Sequence, residues 1–235
     1  PWPAAHLWTI LAGAWAIHTL YKTLQAMAYT RGAYTVVYPV VRGSGPLFTV
    51  VGAYLLFGEV FTLGQWAGMG VLLCGIFGLA VYNLRTVTLE RETLNMALGL
   101  ALCTGLCVAL YTTYDAYGIR ASADPFTFLA WFFVVDSWTM PIFSGLYAKC
   151  KGISLKGQGL WWRGPVGGLL AIASFGSILM ATRLDKVGEA AILRETSTIF
   201  AAFIGWLFLK ETVGPRRVAL MALIALGAVI VEFSG

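Results

Sequence analysis

Two arginines stand where a membrane would make them costly. Arg42 lies about nine residues inside an apolar stretch, roughly 14 Å deep at 1.5 Å per helical residue, and Arg194 lies at a similar depth in another stretch. A guanidinium there costs at least about 2.5–3.5 kcal/mol unless it faces a partner or a wet cavity. Its planar fork matches carboxylate or phosphate oxygens in bidentate geometry, so the pair could hold the anionic group of a solute. Glu195, next to Arg194, offers a structural alternative, an ion pair that only holds the protein together. One carboxylate cannot neutralise two arginines, and this favours binding.

The chain around Arg42, Tyr38 to Pro46, holds two prolines and two glycines. Each proline removes a backbone donor. Irregular backbone at membrane depth is tolerated where it is buried in protein or lines a cavity. Tyr38 and Ser44 are therefore expected beside the binding site. Arg194 to Thr198 contains neither glycine nor proline and is expected to form a straighter helix.

Other polar residues fall at helical spacing. His18, Lys22, Gln25 and Tyr29, four, three and four apart, make one stripe. Thr104, Cys107, Tyr111, Tyr114 and Asp115 make a second. His18, Lys22, Gln25 and Tyr111 are expected to help bind a substrate. Asp136, with Ser137, interrupts the apolar run from Phe126 to Val135. An intramembrane carboxylate is a candidate for proton coupling, with a plain hydrogen-bonding role as its alternative; Glu195 is either a coupling group or an ion-pair partner. No metal site is expected, since Cys103 and Cys107 lack a second pair or a histidine to complete one. No cofactor motif is present.

These residues need long apolar elements to place them. Of 235 residues, 59% are hydrophobic and 11% charged, against about 25% charged in soluble domains. Apolar runs long enough to cross a hydrocarbon core of about 30 Å recur throughout. They are expected at about 7–30, 33–57, 64–84, 94–118, 125–148, 165–182, 187–209 and 216–234. Unsatisfied backbone groups are excluded from lipid, and the alternation of a membrane barrel is absent, so the spans should be helices. The chain opens at Pro1-Trp2-Pro3 without a basic leader region, and no signal peptide is expected.

The net charge of +5 sits in the loops rather than on one soluble face, which argues against a nucleic-acid partner. Loops of one parity hold ten basic residues, among them Arg31, Lys149, Arg163 and Arg216; the other loops hold Arg120, Arg183 and Lys186. This bias places the first set in the cytoplasm and the C-terminus outside. Trp161 and Trp162 beside Arg163 fit an interfacial anchor. Gly64 with Gly68, and Gly164 with Gly168, have the spacing of close helix packing.

The chain repeats itself at an offset of 152. Residues 30–59 align with 182–211, pairing Thr30 with Thr182, Arg31 with Arg183, Arg42 with Arg194 and Glu59 with Glu211. Ala67 meets Ala219, and Gly75 meets Gly227. Five spans separate the copies, so they should run in opposite directions about a pseudo-two-fold axis in the membrane plane. Secondary transporters use such repeats and bind solutes near the midplane. The second repeat would occupy 94–235, and 1–93 would be the remaining three helices of the first. Two preceding helices are then expected, giving ten in the intact protein.

Two windows carry a family resemblance. Val40 to Glu59, with Arg-Gly-Ser-Gly-Pro and Leu-Leu-Phe-Gly-Glu, resembles the fourth helix of EamA-type proteins in the drug/metabolite transporter superfamily. Ile192 to Glu211, with Leu-Arg-Glu-Thr-Ser and Leu-Phe-Leu-Lys-Glu, resembles the ninth. The resemblance implies a ten-helix carrier of two five-helix repeats, without naming a substrate.

The expected fold class is therefore all-α, a polytopic membrane bundle with eight spans here. The expected function is a carrier of a small polar metabolite, anionic or zwitterionic, by alternating access. Its partners would be that solute, the bilayer of a bacterial inner membrane and, at most, a second copy of itself. A non-transporting scaffold and a lipid-modifying enzyme are the alternatives. A serine protease would need a histidine after Gly-x-Ser, and no histidine follows His18; His-Glu-x-x-His is absent.

Overall fold

The computed structural model describes residues 1–32, 34–84, 91–152, 160–197, 200 and 214–234. All regular elements among them are helical: α1 (Ala5–Arg31), α2 (Tyr34–Phe57), α3 (Leu63–Leu84), α4 (Arg91–Ala121), α5 (Pro125–Ser137), α6 (Thr139–Lys151), α7 (Leu160–Leu184), α8 (Val187–Leu193) and α9 (Pro215–Phe233). A 3₁₀ turn at Arg194–Thr196 follows α8. Among the described residues, five segments are long and apolar enough to cross a membrane: Val40–Phe57, Leu63–Tyr82, Asn95–Ala121, Pro125–Lys151 and Trp162–Leu184. The chain is an integral membrane protein. α1 has the length, at 27 residues, but falls short in hydropathy. α9 supplies a shorter apolar helix, Val218–Phe233. Residues 198, 199 and 201–209 of the expected span at 187–209 lie outside the described residues, as do Glu211 and the loop residues 153–159.

Local chemistry sets several boundaries. Asp124 caps α5: its carboxylate accepts the N–H groups of Phe126 and Thr127 at 3.1 Å, and Pro125 begins the helix where its missing donor costs nothing. Gly58 and Gly152 end α2 and α6 at φ 67° and 65°, in the left-handed region that side chains resist. Trp138 separates α5 from α6, and Pro141 has no N–H to give the carbonyl of Ser137.

The chain forms two compact units. One comprises Pro1–Thr19 and Tyr114–Leu184. Its core joins Leu7, Ile10, Leu11 and Ala14 of α1 to Ile119 of α4, Phe128 and Phe132 of α5, and Leu179 of α7. Two arginines tie its helix ends together: Arg120 donates to the carbonyl of Thr182 at 2.8 Å, and Arg183 to those of Ile119 and Ser122 at 2.6 and 2.8 Å. Cations at the C-terminal ends of α4 and α7 also suit the helix dipoles.

The other unit comprises Leu20–Thr113 and Asp185–Gly235. Val50, Met69, Leu72, Ile76, Ile192, Ile224, Ala228 and Val231 form its core. α3 and α9 pack antiparallel at glycine contacts. A Cβ on Gly75 would meet Ile224 and the Leu220 carbonyl at 2.7 and 2.8 Å; one on Gly227 would meet the Gly68 carbonyl and Leu72. Gly64 and Gly68 share this interface, at Ser234 and Val231. Gly164 and Gly168 on α7 have open space at their Cβ positions among the described residues. After Gly58, the Glu59 carboxylate accepts the N–H groups of Val187 and Gly188 at 2.8 and 3.1 Å, capping the first turn of α8.

The backbone reverses one sequence expectation. α2 continues as helix through Pro39, Gly43, Gly45 and Pro46, whereas the segment expected to stay straight tightens into 3₁₀ geometry at Arg194. The Thr196 hydroxyl donates to the Leu193 carbonyl at 2.7 Å and competes with the helical ladder.

Candidate functional site

Arg42 extends from α2 in the second unit and makes three hydrogen bonds among the described residues. Its Nε donates to the Tyr38 hydroxyl at 3.1 Å, one Nη to Glu195 Oε1 at 3.1 Å, and the other to the Ser197 hydroxyl at 3.3 Å. The guanidinium also lies 5.4 Å from the Tyr38 ring centroid, within cation–π range. The i, i+4 spacing of Tyr38 and Arg42 brings them together on one helix face. Pro46 has no N–H for the Arg42 carbonyl, so the backbone next to this side chain is short of one helical bond.

The 3₁₀ turn after α8 supplies the other half. Glu195 is fully buried, and its Oε1 also lies 3.5 Å from Arg194 Nε. Both arginines thus meet at one carboxylate oxygen. Glu195 Oε2 and Arg194 Nε are buried and make no hydrogen bond among the described residues. The two guanidinium groups and one carboxylate leave one positive charge in the cluster.

Tyrosines surround the guanidinium of Arg42. Tyr21 and Tyr111 lie within its electrostatic reach and pack edge to face, with centroids 5.0 Å apart. Gln25 donates to the Tyr21 hydroxyl at 2.8 Å. The structure therefore gathers Arg42, Arg194, Glu195, Tyr38 and Tyr111, with Gln25 one hydrogen bond behind Tyr21. Sequence reasoning missed Ser197 and Tyr21; spacings of three from Arg194 and four from Gln25 were the available signals.

Ser44 is placed differently. Its hydroxyl donates to the Val40 carbonyl at 2.7 Å, and the side chain is buried against Gly105 of α4. Two positions from Arg42, it points from another face of α2 and fills a helix contact. Lys22 is half-buried on α1 within the second unit.

His18 and Asp136 belong to the first unit. His18 Nε2 lies 2.8 Å from Asp115 Oδ2, and Nδ1 lies 3.9 Å from Asp136 Oδ1. The rings of Phe132 and Phe175 meet the imidazole edge to face. No group among the described residues is arranged to hold a metal ion.

The Trp162 half of the expected interfacial anchor is exposed, with the Arg163 guanidinium 5.4 Å from its ring centroid. The Trp161 side chain lies outside the described residues.

The family model described as EamA-like transporter family matches residues 95–233, a segment that includes Tyr111, Asp115, Asp136, Arg194 and Glu195. No curated protein matches the chain.

Proposed function

The chain belongs to the EamA-like transporter family, whose members carry small molecules across membranes, and we propose that it is a carrier for solutes bearing a carboxylate or similar anionic group. One observation carries this reading. Arg42 and Arg194 converge on Glu195 and leave a positive charge uncompensated among the described residues. A solute anion would complete that charge balance. Its oxygens would find the guanidinium forks, while the tyrosine rings beside Arg42 offer apolar faces and hydroxyls to the rest of a small polar solute. Amino acids and organic acids fit this description. Transport by alternating access in a bacterial inner membrane is part of the same proposal.

The internal repeat supports the mechanism. Gly68, Leu72 and Gly75 are the repeat mates of Leu220, Ile224 and Gly227. Gly75 touches Leu220 and Ile224; Gly227 touches Gly68 and Leu72. Each contact therefore has a counterpart with the partners exchanged, which is the signature of a two-fold axis. Such an axis, relating antiparallel helices like α3 and α9, would run perpendicular to both and would lie in the membrane plane if they span the bilayer. Thr30 and Thr182, another mated pair, each donate to the carbonyl three residues earlier. Two inverted five-helix repeats would account for these correspondences.

A thermal-shift screen of the full-length protein tests the binding claim. The probes are glutamate, citrate, phosphate, alanine and, as a neutral control, glucose. A ligand at 100 times its Kd adds about 2.7 kcal/mol of stability. Stabilisation by a carboxylate or zwitterion, followed by counterflow of that compound in proteoliposomes, is the expected result. Stabilisation by glucose alone would overturn the anionic class, and absence of counterflow would overturn the carrier.

A further inference from the structure

The first unit has buried titratable groups of its own. There, Asp115 has no exposed surface, and its Oδ1 makes no hydrogen bond among the described residues. Its Oδ2 meets His18 Nε2 at 2.8 Å. The opposite ring nitrogen of His18 faces Asp136, whose side chain is 19% exposed. A histidine thus stands between a sealed carboxylate and a partly open one. We propose that His18, Asp115 and Asp136 form a proton-binding site, with Asp136 as its outer member and Asp115 as its inner one.

The chemistry follows from the two nitrogens of imidazole. A neutral ring carries one N–H, and the nitrogen that holds it is set by its partners. With that proton on Nε2, the ring donates to Asp115 and presents the Nδ1 lone pair towards Asp136. A proton arriving from the Asp136 side binds Nδ1; the Nε2 proton then passes to Asp115 Oδ2. The ring ends neutral in its other tautomer, Asp115 ends as a carboxylic acid, and one proton has been added. Cluster charge changes from minus two to minus one.

The surroundings suit a proton better than a metal ion. Phe132 of α5 and Phe175 of α7 close two sides of the imidazole with apolar edges. α4 contributes Tyr114 next to Asp115, while the Thr139 hydroxyl of α6 is taken up by Trp15. His18 and Asp136 both act electrostatically on Asp115. Chains of Asp and His at membrane depth mark proton pathways.

Use of this proton to drive transport rests on the carrier reading, but the site can be tested with protons alone. Infrared difference spectra of the full-length protein in lipid bilayers, recorded between pH steps, detect the carbonyl stretch of a protonated carboxyl group. A band that grows as pH falls and shifts in heavy water is expected. Asp115→Asn should remove it. His18→Gln, which keeps a polar side chain beside Asp115, should displace its midpoint by about tenfold in proton affinity or more. Asp136→Asn should keep the band and slow its appearance after a pH jump. Circular dichroism on the same samples checks folding; if Asp115→Asn does not fold, the His18→Gln midpoint decides. A band unchanged in every folded variant would overturn the site, as would no titrating band in the wild type. The expected band in a protein that moves no solute would sink the carrier alone, and working counterflow without the band would sink the proton site alone.

Discussion

Arg42 and Glu195, 153 positions apart, meet at 3.1 Å on a carboxylate that Arg194 also approaches. A guanidinium that both pairs with protein and awaits a ligand can be separated from one that merely pairs. Arg42→Lys keeps the charge but loses the fork that reaches Tyr38, Glu195 and Ser197 together. Binding of the stabilising anion should weaken tenfold or more, about 1.4 kcal/mol, with the protein still folded. Arg194→Lys should act in the same direction. Melting temperature and affinity measured on one preparation decide the matter; a lower melting temperature with unchanged affinity would assign both arginines to structure.

Glu195→Gln makes the complementary test. Without the carboxylate, two partly buried cations face each other with no counter-charge among the described residues, and losing one member of a buried pair typically costs about 3–5 kcal/mol. The variant should melt well below the wild type. Part of that loss should return when citrate or glutamate is added, read by the same thermal scan.

The reciprocal glycines predict matched costs. Gly75→Ala and Gly227→Ala each drive a methyl into a facing helix, and overpacking of this kind costs about 1–3 kcal/mol. The two losses should be similar, because the contacts exchange partners. Gly70→Ala, on the same helix with open space at its Cβ, should be neutral or slightly stabilising. Unfolding midpoints in a denaturant series would show whether the first pair fall together.

Asp124 gives a pH dependence outside the spans. The hydrogen bond from the Thr127 hydroxyl, followed by those from the Phe126 and Thr127 backbone, holds its carboxyl below the usual range. A lowered folded value means stability that is fully present above the ordinary carboxylate range and is lost as pH falls through the folded value. The melting advantage of wild type over Asp124→Ala should be constant near neutrality and shrink in acid. A difference that stays level down to strongly acidic pH would show that the cap does not depend on charge.

Much of the architecture could be read because lipid constrains it. The apolar runs fixed the helical class, and the two arginines stood out because charge at that depth needs a partner. Arg42 meeting Glu195 was partly written in the repeat, since Arg194 is the mate of Arg42 and Glu195 follows it. The 3₁₀ turn was harder to foresee. It arises where the Thr196 hydroxyl binds the Leu193 carbonyl, whereas glycine and proline near Arg42 drew attention to the wrong copy. Ser44 looked like a polar lining residue because its facing glycine, Gly105, lies far along the chain. Asp115 was visible in a polar stripe, but a stripe does not reveal which residue of another helix it meets. Rotation and height between helices depend on side-chain packing, and that placed His18 between two carboxylates.

Glu59 ties the end of one arginine-bearing segment to the beginning of the other. Its carboxylate grips two backbone N–H groups at the start of α8, just beyond the last turn of α2. Mechanically this is a pinned joint. In the proposed alternating-access cycle, separating Arg42 from Glu195 would also strain that pin, so the two arms would swing together.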